Sequence, residues 1–107
     1  MVTLDNATNI RELIANTEIL IVECGSVTCA PCTAIRNRID DYIASHSKLT
    51  ALYVEIAENR ALCGELGVFS SPTILVYVEG SLTIRESGYF SLSDIFRRID
   101  RYISLLD

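Results

Sequence analysis

The sequence has no tryptophan, one histidine, one methionine and two prolines, and aromatic residues make up only 7% of its 107 positions. It also lacks long hydrophobic runs: Ile19 to Val22 and Ile74 to Val78 fall far short of the roughly 20 residues a membrane-spanning helix needs. A soluble protein with no membrane partner is expected. Positive charge is scarce, and a formal net charge of -5 gives no electrostatic reason to expect nucleic acid or an anionic lipid surface. Small-molecule or protein partners are expected instead. The segment Met1 to Asn9 lacks the basic start and apolar run of a secretory signal, so Met1 reads as an initiator and the cytoplasm as the location. There is no internal repeat, linker or low-complexity stretch. Half of the residues are apolar, enough for one continuous core, and residues 1–107 read as one domain, expected to be a monomer.

Hydrophobic periodicity gives the order of elements. After a short apolar start at Val2 to Leu4, Ile10, Leu13 and Ile14 recur at helical spacing, with Asn9 and Glu12 placed as a capping box. Ile19 to Cys24 is apolar on both alternating faces, as in a central strand covered on each side by helices. A helix begins inside Cys29-Ala30-Pro31-Cys32 and carries Ile35, Ile39, Tyr42 and Ile43 on one face as far as about His46. Leu52, Val54 and Ile56 alternate with Tyr53 and Glu55 as a second central strand, and a short helix over Asn59 to Leu66 is stopped by Gly67. Pro72 precedes a strand over Thr73 to Tyr77, and the turn residues Glu79-Gly80-Ser81 lead to a more polar edge strand over Leu82 to Ser87. Ser91 and Asp94 form a capping box ahead of Leu92, Ile95, Phe96, Ile99, Tyr102, Ile103 and Leu106, an amphipathic closing helix.

Four cysteines are too few and too clustered for a secreted disulfide scaffold, so their spacing reads as chemistry or as packing. A Cys-x-x-Cys at a strand-to-helix junction puts the first sulfur against the free N–H groups and positive end of the helix. Cys29 is therefore expected to ionise below the roughly 8.5 of a free thiol and act as nucleophile. Cys32, one helical turn on, stays within disulfide-forming reach. Strand alternation puts Glu23 on a face with Ile19 and Ile21, where burial should raise its pKa and fit it to exchange a proton with Cys32.

Ile21-Val22-Glu23, Cys29-Ala30-Pro31-Cys32, Ser70-Ser71-Pro72-Thr73 and Gly88, followed by the closing helix, resemble the thioredoxin family over nearly the whole chain. The resemblance implies an α/β fold with a central mixed sheet of four to five strands flanked by about four helices. It implies that Pro72 is cis, with its loop against the Cys29 sulfur and the backbone of Ser71 free to pair with an extended substrate. It further implies reduction of protein disulfides through a Cys29–Cys32 couple, no cofactor or metal, and a thioredoxin-reductase-type electron donor. Thr28, Ala30, Pro31, Ser71, Pro72 and Gly88 then become the substrate-contacting set. Several residues depart from the family pattern. Thr28 stands where a Trp is usual, Ala30 where a Gly is usual, Glu23 where the buried acid is usually Asp, and Tyr53 where many relatives carry a Lys.

Other polar residues have plainer readings. Cys24 is expected to pack as a small apolar side chain and Cys63 to be an accidental thiol. His46 suits a helix C-terminus, and no serine or cysteine motif converges on it for catalysis. Tyr89, Phe90, Phe96 and Tyr102 read as core or near-core residues, and Asp40, Asp41, Glu55 and Glu58 as solvated faces. Two rival functions remain. The spacing Cys24-x4-Cys29-x2-Cys32 with Cys63 imitates an iron–sulfur electron carrier, although a strand and a helix hold those cysteines. A thioredoxin-like adaptor or partner-specific redox module is the second.

Overall fold

The computed structural model describes residues 1–5 and 9–106. Along the chain run β1 (Val2–Thr3), α1 (Ile10–Asn16), β2 (Ile19–Gly25), α2 (Ala30–Ile43), β3 (Leu49–Glu55), α3 (Arg60–Leu66), β4 (Thr73–Val78), β5 (Ser81–Ser87) and α4 (Leu92–Leu106). The sheet order is β1-β3-β2-β4-β5, with β1, β3 and β2 parallel and β4 and β5 antiparallel additions. This is the mixed, helix-flanked sheet that the resemblance implies.

β2 lies at the centre and every one of its residues is buried, which is why its sequence reads as a continuous apolar run instead of an alternation. Leu20, Val22 and Cys24 face a core closed by α1 and α3, through Ile10, Leu13, Leu62 and Cys63. Ile19 and Ile21 face the other side, packed with Ile39 of α2 and Leu92, Ile95 and Ile99 of α4. Glu23 continues that second row and carries a carboxyl group into it.

Local chemistry sets the boundaries. Asn9 accepts the Glu12 N–H at 3.2 Å and Ser91 accepts the Asp94 N–H at 3.1 Å, so the N-cap bond of each expected capping box forms. Gly67 closes α3 in the left-handed region at φ 73°. Glu79 and Gly80, both at positive φ, make the two-residue hairpin between β4 and β5. Several boundaries differ from the sequence reading, most by a single residue. α2 ends at Ile43, not His46; the His46 ring instead donates from Nδ1 to the Tyr42 carbonyl at 2.7 Å. β3 starts three residues early because it pairs with β2 along its whole length, from Ile19 opposite Leu49. Ile56 leaves the strand for a 3-10 turn. α2 and α4 are held together by Tyr42, whose ring stacks on Phe96 with centroids 4.0 Å apart while its hydroxyl donates to Asp100. No helix among the described residues is long and apolar enough to cross a membrane.

Ile39 is fully buried between α2 and the sheet. Ile39→Ala should lower the unfolding free energy by about 2–5 kcal/mol, and removal of the α4 cap in Ser91→Ala by about 1 kcal/mol; urea titrations of the two variants check both.

Candidate active site

The carboxyl end of β2 delivers the chain to the amino end of α2 through the loop 26–28. Ser26 Oγ accepts the Thr28 N–H at 3.1 Å and the Ser26 carbonyl accepts the Cys29 N–H at 3.1 Å, so a tight local turn fixes the approach. Cys29 takes the cap position of α2 in an extended conformation, with Pro31 in the first turn, where a missing N–H removes no helical bond. Cys29 and Cys32 are joined as a disulfide, their Cα atoms 5.4 Å apart. Cys29 is half-buried and reaches the surface, whereas Cys32 is wholly buried.

Gly25 makes this packing possible. A Cβ at that position would lie 3.0 Å from Cys32 Sγ and 3.0 Å from the Tyr53 ring, closer than ordinary contacts allow. The sequence reading did not single it out, since a glycine ending a strand looks like ordinary punctuation.

The Ser71–Pro72 peptide is cis. The Pro72 carbonyl accepts the Gly88 N–H at 3.0 Å, and Gly88 lies at φ 77°, a conformation that favours glycine. Thr28, Cys29, Ala30, Pro31, Ser71, Pro72 and Gly88 together line a groove of about 650 Å³. Tyr89 lines it too and is fully exposed, which corrects its reading as a near-core residue: beyond the Gly88 turn, Tyr89 points out while Phe90 is half-buried. Cys32 and Glu23 lie beneath the groove, not in its wall.

Glu23 is completely shielded from solvent, and neither carboxyl oxygen has a hydrogen-bond partner among the described residues. Burial is the main reason its pKa rises from the ordinary 4.5 to about 7; Arg36 works against the rise and Asp40 adds to it. Arg36 Nε lies 3.8 Å from Glu23 Oε1, and its guanidinium stacks over the Tyr53 ring 3.9 Å from the centroid. Tyr53 in the place of a Lys therefore does not leave the buried acid without a cation, because α2 supplies one. Glu55 departs from the solvated-face reading: it is buried, and its Oε2 has no hydrogen-bond partner among the described residues. Strand alternation puts it on the same face of β3 as Tyr53. Arg36 and Glu55 are thus residues around the buried acid that the sequence reading missed, whereas Tyr53 entered it only as a departure from the family pattern. The helical spacing of Arg36 from Cys32, at i and i+4, was the available signal.

The four cysteines separate into two pairs on opposite faces of the sheet. Cys24 and Cys63 belong to the same buried cluster in the α1/α3 core, and burial pushes the Cys24 thiol up to about 12 and raises that of Cys63. Cys24 packs as expected, and Cys63 is a buried partner to it. Because the two pairs do not converge, the iron–sulfur spacing of the sequence has no counterpart in space.

The Glu23 shift has a stability consequence. With a folded pKa above the unfolded value, Glu23 binds its proton more tightly in the native state, so its contribution is fully present below about pH 4.5 and is lost as pH rises through about 7. The expected loss is on the order of 3 kcal/mol. Glu23→Gln should flatten that part of the stability profile, as read by urea unfolding between about pH 4 and 8.

The thioredoxin family model matches residues 1–101. A thioredoxin from Pyropia yezoensis is 22% identical over 95 residues, covering 88% of this chain and 89% of the relative. Among solved structures, thioredoxins from Plasmodium falciparum and Fasciola hepatica each superpose with a TM-score of 0.82. They are 22% and 21% identical respectively, and each comparison covers 95% of this chain and 99% of the other. These structural likenesses speak for the fold; the family match extends over the cysteine pair, the cis-proline loop and the buried acid, and the chain belongs to the thioredoxin family.

Proposed function

We propose that this chain, acting as a single-domain monomer in the cytoplasm, reduces protein disulfides with Cys29 as nucleophile, Cys32 as resolving thiol and Glu23 as proton acceptor. The observation that carries the reading is the disulfide at the mouth of α2, with one sulfur at a groove and the other buried on the sheet face that carries a protonatable acid.

In the reduced protein the amino end of α2 favours the Cys29 thiolate. That thiolate attacks one sulfur of the substrate disulfide, and the other sulfur leaves as a thiolate that takes a proton from water. Cys32 gives its proton toward Glu23 and attacks Cys29 Sγ. The mixed disulfide breaks, the second substrate thiol is released, and the protein is left oxidised. Two electrons have passed to the substrate, and a thioredoxin-reductase-type donor restores the dithiol. Thr28, Ala30, Pro31, Ser71, Pro72 and Gly88 form the contact surface for an extended segment, with the backbone at Ser71 available to pair with it. Thr28, smaller than the Trp usual there, leaves Tyr89 as the prominent aromatic beside the disulfide.

Insulin reduction coupled to a thioredoxin reductase tests the proposal. Cys29→Ser and Cys32→Ser should each lower turnover by about 100-fold or more, and Cys32→Ser should accumulate a mixed disulfide at Cys29 visible by mass. Undiminished reduction by both variants would refute the redox reading and favour an adaptor.

A further inference from the structure

Glu23 and Cys32 have to exchange a proton in this scheme, yet no hydrogen bond joins them: both oxygens of Glu23 are without one among the described residues, and the nearest charged group to the acid is Arg36. Tyr53 lies between the two. It sits directly opposite Glu23 in the β2/β3 register, so the two side chains rise from the same face on neighbouring strands. The phenol then reaches along β2 to Gly25. There the Tyr53 hydroxyl oxygen is 3.1 Å and Cys32 Sγ 3.0 Å from the point a Cβ would occupy, which puts them no more than about 6 Å apart. That is within the span of a single bridging water or a small swing of the ring.

Tyr53 is 5% exposed, and its hydroxyl is a buried polar group with no hydrogen-bond partner among the described residues. Such a group is costly to keep, and a phenylalanine would fill the same volume without the cost. Its ring is held under the Arg36 guanidinium, the same group that faces Glu23, so one cation fixes both acid and phenol. Charged groups reach this space from each packed element: Glu23 from β2, Glu55 from β3, and Arg36 with Asp40 from α2. Burial raises the phenol pKa, with Glu55 adding to the rise and Arg36 opposing it, so the hydroxyl stays protonated and able to donate.

We propose that the Tyr53 hydroxyl relays the proton between Cys32 and Glu23. As Cys32 turns on the mixed disulfide, its S–H proton passes to the Tyr53 oxygen while the Tyr53 O–H proton passes to the Glu23 carboxylate. The phenol is neutral before and after, and the proton is conserved. When a reductase thiolate attacks Cys29 and expels Cys32, the relay runs backwards and Glu23 returns the proton to the departing sulfur. The inference rests on Cys32 being the resolving thiol and deepens that reading.

The test follows reduced protein reacting with a small symmetric alkyl disulfide, quenched with acid and read by mass. The first step is the appearance of the Cys29 mixed disulfide and the second its conversion to the protein disulfide. Tyr53→Phe, which keeps the ring beneath Arg36, should leave the first step within about 2-fold and slow the second about 10-fold near neutral pH. The inflection of the second step near pH 7 should also disappear. Glu23→Gln should give the same loss, and the double variant little more, because the two act in series. In the unaltered protein, deuterium oxide should slow the second step more than the first, a result that needs no variant to fold. A second step in Tyr53→Phe that is unchanged, or slowed evenly with its pH profile intact, overturns the relay, as does the absence of the isotope effect. Failure of Cys32→Ser to accumulate the mixed disulfide would instead sink the dithiol reading beneath it.

Discussion

The close approach of Cys32 to Gly25 is the contact on which the rest of the site depends. A sulfur seated on the last residue of the central strand, with no side chain intervening, ties the start of α2 to the carboxyl end of β2. That seat holds Cys32 out of solvent and leaves Cys29 at the groove. It also puts the buried partner of the pair on the face of the sheet that carries Glu23, Tyr53 and Glu55. A larger residue at Gly25 would have to displace the sulfur, the phenol or both.

Desolvation then supplies the chemistry. A carboxylate in water is a poor acceptor for the proton of a thiol, because its conjugate acid, with a pKa of about 4, is far stronger than the thiol. Burying Glu23 moves its titration to the range in which a cell operates, and Arg36 keeps the shift from going further. The same arginine stacks on Tyr53, so electrostatic tuning and ring placement come from one side chain. A buried carboxyl group whose oxygens have no hydrogen-bond partner among the described residues lowers stability in a core otherwise filled with Ile, Val and Leu.

Much of this was legible from residue order. The doubly apolar segments Ile19–Cys24 and Thr73–Tyr77 announced strands covered on both faces, and the Asn9 and Ser91 caps, Gly67 and the Glu79–Gly80 turn fixed element ends. The pair at Cys29 and Cys32 and the burial of Glu23 followed from position in a strand and at a helix start. What could not be read was three-dimensional register. Glu55 looks solvated as one charge in a stretch of alternating residues, and only the pairing of β3 with β2 buries it. Arg36 reads as a surface cation on α2 until that helix is laid across β3. Tyr89 could not be told from its neighbour Phe90 without the turn at Gly88.

The second cysteine pair shows what the sheet does besides holding strands together. Cys24 is five residues from Cys29 in the chain, close enough in an unfolded state to be captured by the wrong sulfur. Folding turns its side chain to the opposite side of a hydrogen-bonded wall, beside Cys63, where its thiol holds its proton far above neutral pH. The backbone of β2 thereby acts as insulation: traffic in electrons is confined to one side, and the two spare thiols are kept out of circulation while their neighbours exchange bonds with every client that arrives.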